Sequence, residues 1–170
     1  MYKRQELGER CIALFYRTYS PFEEPVVGTE VEFVFSINGT KDYMMKGIAD
    51  RVDYYGKGKY EIHDYKSGKR MISQKDADKD AQLATYQIGL QYKYDDVEEV
   101  KLVWHYLQHA QEVHSQRNSN QINQLVHQTK LRIDEIRGHI QSGDSFFPKE
   151  SILCNWCYNC LLYTSPSPRD

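Results

Sequence analysis

The sequence predicts an α/β or α+β sandwich, in which helices flank one central mixed β-sheet in the order α-β-β-β-α-β-α. Apolar residues recur at helical spacing in three segments and alternate with polar residues in four others. The 170 residues suit one domain with a substantial core. With 40% hydrophobic and 27% charged residues, the composition excludes a disordered chain.

The first half of the chain predicts a helix followed by three strands. Apolar residues at helical spacing predict the first helix, and Ser20-Pro21 ends it because proline disfavours helical geometry in the preceding residue. Alternation with period two then predicts the strands, and Asn38-Gly39 predicts a turn between the first two. The predicted elements are helix 6–19 and strands 26–37, 43–54 and 60–66.

The second half predicts a helix at 76–94, a strand at 100–107 and a helix at 120–142. Ser119 is suited to cap the last helix, and Gly143 is suited to end it. No internal repeat is present, so these elements belong to one sheet rather than to a repeat array.

Charge and hydropathy limit the functional classes to which the protein can belong. No apolar run approaches the roughly 18 residues of a membrane span, and the start lacks a secretory signal, so we expect a cytoplasmic protein without a membrane partner. The net charge of −2 does not indicate a nucleic-acid-binding protein. Contact with DNA would need a local basic cluster. The candidates are Lys46, Lys57, Lys59, Lys69 and Arg70.

Both ends of the chain resemble translated adapter sequence from library preparation. Residues 160–170 fit no structural element, and residues 1–5 resemble the same adapter read inward. We therefore expect a partial domain at 6–159 with unrelated tails. The alternative is a genuine proline-rich tail.

Three charged side chains fall on the same faces as apolar ones on two adjacent strands. Asp50 shares its face with Ile48 and Val52, and Asp64 and Lys66 share theirs with Tyr60 and Ile62. Because side chains alternate across a strand, all three charges are expected on the apolar face. If the turn centres on Lys57, the facing pairs are Tyr54–Tyr60, Val52–Ile62 and Asp50–Asp64.

Opposed carboxylates on an apolar face need compensating positive charge. Lys66 would supply one charge, and a divalent ion held by oxygens would supply the rest. Such a centre suits phosphodiester hydrolysis, in which the metal activates water and the lysine stabilises developing charge. The alternative is that Asp50 and Asp53 flank a solvated strand end, and that Asp64-Tyr-Lys-Ser-Gly68 is only a strand that runs into a turn.

Three segments together resemble the PD-(D/E)XK nuclease superfamily, and most closely its RecB-like exonuclease branch. They are Gly47-Ile-Ala-Asp-Arg-Val-Asp53, Ile62-His-Asp-Tyr-Lys-Ser-Gly68 and Gln82-Leu-Ala-Thr-Tyr86. Their order and spacing match the family from about residue 30 to 157. The resemblance implies a restriction-endonuclease-like core.

The resemblance also implies roles for individual residues. Asp50 and Asp64 match metal-binding carboxylates for Mg²⁺ or Mn²⁺, and Lys66 matches the catalytic lysine. The residues that would support the site or contact DNA are Gln82, Tyr86 and Glu30. The family also uses an upstream histidine as a metal ligand, and nothing at the start of this chain matches it.

The four cysteines suit core packing or metal chemistry rather than disulfides. Cys154 and Cys157 form a C-x2-C turn, and similar nucleases hold a [4Fe–4S] cluster with C-x2-C-x5-C. That spacing points here to Tyr163, so the resemblance implies a cluster only in a longer protein. Cys160 would allow a zinc knuckle that lacks a fourth ligand. Cys11 shares the apolar face of its helix and is expected in the core.

The expected function is Mg²⁺- or Mn²⁺-dependent exonucleolytic hydrolysis of DNA in recombination or repair, with a helicase domain or subunit as a further candidate partner. Two alternatives stay open. One is a catalytically silent DNA-binding or scaffold module of the same fold. The other is a zinc-knuckle nucleic-acid-binding protein.

Overall fold

The computed structural model describes residues 2–37, 39–143 and 151–152. The sheet and its helices follow one another with short connections. The elements are α1 (Tyr2–Tyr19), β1 (Val26–Ser36), a 3₁₀ turn (Lys41–Tyr43), β2 (Met44–Tyr54), β3 (Lys59–Lys66), α2 (Gln74–Ala77), α3 (Ala81–Lys93), β4 (Glu99–Tyr106), β5 (Gln111–Gln116) and α4 (Ser119–Ser142).

The five strands form one mixed sheet in the order β1-β2-β3-β4-β5. Only β3 and β4 run parallel, and α2 and α3 form the crossover between them. The other three pairs are antiparallel. The predicted fold class, a mixed sheet flanked by helices, is therefore confirmed.

Two elements differ from the sequence prediction. The strand β5 was not predicted, because Gln111-Glu-Val-His-Ser-Gln116 is an edge strand without regular apolar alternation. The helix predicted at 76–94 is divided into α2 and α3. The division falls at Asp80, whose side chain caps the N-terminus of α3.

The core lies between the sheet and α3. Phe33 and Phe35 of β1, Ile62 of β3 and Leu102 of β4 are buried there. Gly89 of α3 lets the helix approach the sheet closely, because a Cβ at that position would lie 2.7 Å from Phe33. Residues 1–133 form one compact unit that contains the whole sheet, and residues 134–170 form a second unit.

Helix α1 covers the opposite face of the sheet. Phe15 packs edge-on against Tyr65, with ring centroids 5.5 Å apart, and against His105 at 6.1 Å. Cys11 is buried in this helix, as expected of a core cysteine. Within the described part of the chain, the helices are too short or too polar to cross a membrane.

Candidate active site

The β2–β3 hairpin has the register that the sequence predicts. Val52 pairs with Ile62 and Tyr54 with Tyr60. The paired residues end at Arg51–His63, so Asp50 and Asp64 lie one step beyond the ladder. There the backbone N–H of Tyr65 donates a hydrogen bond to Asp50 Oδ2 at 2.8 Å. The Asp50 carboxylate thus accepts the backbone hydrogen bond of Tyr65 just beyond the last paired residues, and it holds the end of β3.

The alternation along β2 is interrupted around Asp50. Ala49 is fully buried, whereas Ile48 is 41% exposed. The prediction that Ile48, Asp50 and Val52 share one apolar face is therefore wrong for Ile48, because the buried side changes from odd to even residues between Ala49 and Val52. On β1, Glu30 lies opposite Asp50 between the pairs Thr29–Arg51 and Val31–Ala49, and it has the left-handed φ of +51°. The register of this strand pair shifts between Val26 and Gly28 instead.

The change of the buried side lies close to the candidate carboxylate. Asp50 is half-buried and precedes the fully buried Val52 by two residues. Glu30, predicted to support the site, is solvent-exposed at the level of Asp50. A non-glycine residue with positive φ is costly and often marks a functional region.

Asp64 and Lys66 form an ion pair at the end of β3. Lys66 Nζ lies 2.8 Å from Asp64 Oδ2. The Asp64 side chain is 7% exposed and that of Lys66 is 38% exposed, so the pair lies at the boundary of the core. From α3, Gln82 Nε2 donates to Asp64 Oδ1 at 3.3 Å and to Tyr86 Oη at 3.2 Å. The structure therefore brings together four of the residues predicted for the site.

The site contains more negative than positive charge. Burial raises the pKa of Asp64 against the opposing effect of Lys66, and the nearby charges of Asp50 and Asp80 raise it further. Burial disfavours the charge on Lys66, but the ion pair with Asp64 and the other carboxylates outweigh it and raise the pKa of Lys66. One lysine faces three carboxylates, which leaves room for a divalent cation.

Asp80 is a site residue that the sequence analysis missed. Its carboxylate caps α3 by accepting hydrogen bonds from the backbone N–H groups of Gln82 and Leu83, at 2.9 and 3.2 Å. Arg117 Nη2 donates to the backbone carbonyls of Ala77 and Asp80, at 2.6 and 3.2 Å. An aspartate directly before an apolar helix is an N-cap signal that would have located this residue.

Tyr86 is seated on a glycine of β2. A Cβ on Gly47 would lie 2.7 Å from Tyr86 Cε1, closer than a side chain tolerates. Glycine at this position therefore lets the Tyr86 ring lie against the strand and keeps its hydroxyl beside Gln82.

The carboxylates fit part of a magnesium or manganese site. Apart from its contact with Lys66, the buried Asp64 Oδ2 accepts no hydrogen bond among the described residues. In the same residues, no three His, Cys, Asp or Glu side chains form a metal-binding group. Two carboxylates are enough for Mg²⁺, which usually keeps several waters and takes further ligands from substrate phosphates. Cys154 and Cys157 lie outside the described residues.

The predicted basic cluster does not form around the site. Lys46 pairs with Glu32 at 2.9 Å and Lys59 with Glu99 at 3.6 Å, so acidic neighbours offset both charges. Lys59 also begins β3 whereas Lys66 ends it, which separates them by roughly 23 Å. The prediction is therefore wrong for Lys59, because the direction of β3 carries its two ends to opposite ends of the sheet.

Lys57 lies in the same distant turn as Lys59. Lys69 and Arg70 lie in the loop that begins directly after Lys66. These two are the members of the predicted cluster that adjoin Lys66 in the chain and have no ion pair among the described residues.

Comparison with known proteins yields one family. A model of the PD-(D/E)XK nuclease superfamily matches residues 3–159. Among solved structures, the crystal structure of SSO0001 is similar at 19% sequence identity and a TM-score of 0.42, over 91% of this chain and 71% of that chain. No curated protein matches the chain.

Proposed function

Because this chain belongs to the PD-(D/E)XK nuclease superfamily, we propose that it is a metal-dependent DNA exonuclease with Asp50, Asp64 and Lys66 at its centre. Membership of the family supports nuclease activity on DNA. One observation carries the assignment of the centre. Lys66 and Asp64 form an ion pair 2.8 Å long at the boundary of the core, beside a second carboxylate and a helix that contacts Asp64.

Asp50 and Asp64 would hold the Mg²⁺ or Mn²⁺ ion. When bound, such an ion activates water and neutralises charge on the phosphodiester. Gln82 holds Asp64 Oδ1 by a hydrogen bond and so orients the carboxylate. The N–H of Tyr65 does the same for Asp50 Oδ2. Both carboxylates are thereby held in place before a ligand arrives, which lowers the entropic cost of binding.

Lys66 would contact the phosphate. Its pKa is raised by the surrounding carboxylates, so it stays protonated at neutral pH. A fixed cation beside the scissile phosphate stabilises the charge that develops in the transition state. Tyr86 and Gln82 would support this arrangement from α3, while Glu30 would act from the exposed edge opposite Asp50.

The cellular role proposed for this activity is DNA recombination or repair in the cytoplasm, as in RecB-like nucleases. A helicase domain or subunit is the proposed partner, since processive degradation needs separated strands. Cys154 and Cys157 would contribute to an iron–sulfur cluster in a longer protein, which iron and sulfide analysis of that protein would test.

The proposed centre is tested by calorimetric titration of Mn²⁺ into the chain and into an Asp50→Ala, Asp64→Ala double variant. The matched control is an Asp95→Ala, Glu135→Ala double variant, which removes two exposed carboxylates. We expect saturable binding in the parent and the control and none in the first variant. Equal binding in all three folded proteins would refute the centre. Degradation of end-labelled linear DNA, compared with a closed circle, then tests the exonuclease assignment.

A further inference from the structure

Two cavities lie on either side of the loop that follows the candidate catalytic lysine. The first, here called the Lys66 pocket, has a volume of about 410 Å³ and is lined by Lys66, Arg70, Met71 and Ile72 among others. The second, here called the α1 groove, has a volume of about 600 Å³. Its lining includes Leu7, Arg10, Leu14, Arg17, Lys69 and Leu107. Consecutive loop residues, Lys69 and Arg70, thus line one cavity each.

The loop between the cavities is held by hydrogen bonds with the last residue of β4 and with the residues that follow it. The N–H of Leu107 donates to the carbonyl of Lys66 at 3.0 Å, and the N–H of Ile72 donates to Tyr106 Oη at 2.9 Å. His109 Nε2 lies 2.8 Å from the carbonyl of Lys69. These contacts fix the loop along its length, so both cavities are built into the fold.

Four cations line the two cavities without an anionic partner. Arg10, Arg17, Lys69 and Arg70 are exposed, and none has an ion pair within the part of the chain that the structure describes. Arg10 and Arg17 are seven residues apart, two turns along the same side of α1. In a chain with a net charge of −2, such a concentration of unpaired positive charge indicates an anionic ligand.

The acidic side chains in the same linings do not cancel this charge. Glu6 lines the α1 groove, and Asp76 lines the Lys66 pocket. Asp76 accepts a hydrogen bond from Ser73 Oγ at 2.7 Å, within the cap of α2. With Lys66 included, five cations face two carboxylates along the two cavities.

Apolar side chains accompany the cations in both cavities. Leu7, Leu14 and Leu107 contribute to the α1 groove, and Met71 and Ile72 to the Lys66 pocket. A single strand presents unstacked bases to apolar surface and phosphates to cations, whereas a duplex hides its bases. We propose that the α1 groove and the Lys66 pocket form one continuous track for single-stranded DNA, which crosses the loop at Lys69 and Arg70 and leads to Lys66.

This proposal rests on the proposed function, because it names the substrate form that reaches the same centre. The experiment is fluorescence anisotropy of a labelled oligothymidylate of about 20 nucleotides with the full chain, in EDTA so that no cleavage occurs. The track variants are two double substitutions, Arg10→Ala with Arg17→Ala and Lys69→Ala with Arg70→Ala. The charge-matched control is Lys41→Ala, Arg132→Ala, which also removes two exposed cations.

Each track variant should bind the oligonucleotide about tenfold more weakly than the parent. The slope of log affinity against log salt concentration should also fall by the equivalent of one to two phosphate contacts, since each cation neutralises about one phosphate. The control should stay within about twofold of the parent. Unchanged binding in both track variants, or an equal loss in the control, would overturn the track. Tighter binding of a duplex of equal length would overturn the single-strand assignment.

Titration of Mn²⁺ into the same proteins separates this proposal from the metal centre. The track variants should bind Mn²⁺ as the parent does. If the parent binds no Mn²⁺ but loses its single-strand binding in the track variants, the metal centre fails and the track is supported. If it binds Mn²⁺ and the track variants bind DNA normally, the track alone fails.

Discussion

His63 and His105 contact each other through ring nitrogens in the interior of the sheet, with His63 Nδ1 2.9 Å from His105 Nε2. Both residues are buried on the α1 side. The outer nitrogens face carboxylates, His63 Nε2 at 3.1 Å from Asp53 Oδ2 and His105 Nδ1 at 3.2 Å from Glu112 Oε1. If both outer nitrogens donate, the inner contact needs one further proton, and the pair carries one positive charge.

The surroundings of His63 disfavour its protonation. Burial lowers the pKa of His63, and the nearby Arg51 guanidinium also disfavours its protonation although Asp53 partly compensates. The hydrogen bond from His105 lowers the pKa of Glu112 to about 2, although burial opposes the shift, and Tyr19 also donates to this carboxylate at 2.6 Å. We therefore expect a neutral His63 whose Nδ1 accepts a hydrogen bond from His105 Nε2.

This network predicts that acid destabilises the protein. The unfolded chain protonates His63 near pH 6.5, before the folded chain does, so stability falls as the pH drops below 6.5. Glu112 contributes stability that is complete above its ordinary pKa of 4.5 and is lost as the pH falls towards 2. The Glu112 contribution is at most about 3 kcal/mol.

The measurement is urea unfolding between pH 3 and 8 of the parent, a Glu112→Gln variant and a Glu135→Gln control. Glu112→Gln should be less stable than the parent at neutral pH, and its stability should change less between pH 5 and 3. Parallel pH profiles for the parent and Glu112→Gln would contradict the assigned network.

Replacement of Asp64 by asparagine should abolish Mn²⁺ binding without loss of stability in metal-free buffer. Burial raises the pKa of Asp64 in the folded state, so above pH 3.8 its ionised form costs folding free energy. The Asp64→Asn substitution removes that charge, and we expect a free energy of unfolding that is unchanged or higher by up to about 1 kcal/mol. Thermal unfolding with and without Mn²⁺ tests both effects. A markedly less stable Asp64→Asn protein would show that the Lys66 ion pair stabilises the fold.

Replacement of Lys66 by methionine should lower kcat on linear DNA by about 10² to 10³, because a cation that contacts the transition state is lost. The affinity for Mn²⁺ should be equal or higher, since a competing positive charge leaves Asp64. Lys79→Met, on an exposed position, is the matched control. Full activity of Lys66→Met would exclude the catalytic role.

Replacement of Gly47 by alanine should destabilise the protein by about 1–3 kcal/mol, as expected when a methyl group is forced into a packed region. The new Cβ would lie 2.7 Å from the ring of Tyr86 and displace it. Because the Tyr86 hydroxyl accepts a hydrogen bond from Gln82, we also expect weaker Mn²⁺ binding. A Gly47→Ala, Tyr86→Ala double variant should recover part of the stability. Equal destabilisation by Gly47→Ala with and without Tyr86 would contradict this contact.

The sequence by itself determined four of the five strands, the first and last helices, the register of the β2–β3 hairpin and the motif containing Asp64 and Lys66. These features depend on alternation and turn position within short segments, so the local sequence carries them. The same local rules failed along β2, where the buried side changes between Ala49 and Val52, close to the positive φ of Glu30 on the paired strand. The alternation within β2 does not predict this change, because it involves the partner strand.

Only the tertiary structure decided which distant groups meet. The parallel pairing of β3 with β4 places His105 next to His63, and the crossover helix brings Asp80 and Gln82 to Asp64. The packing of α1 on the sheet likewise brings Arg10 and Arg17 to the same groove as Lys69. Such contacts depend on the order in which strands assemble and helices pack, and no local pattern encodes that order.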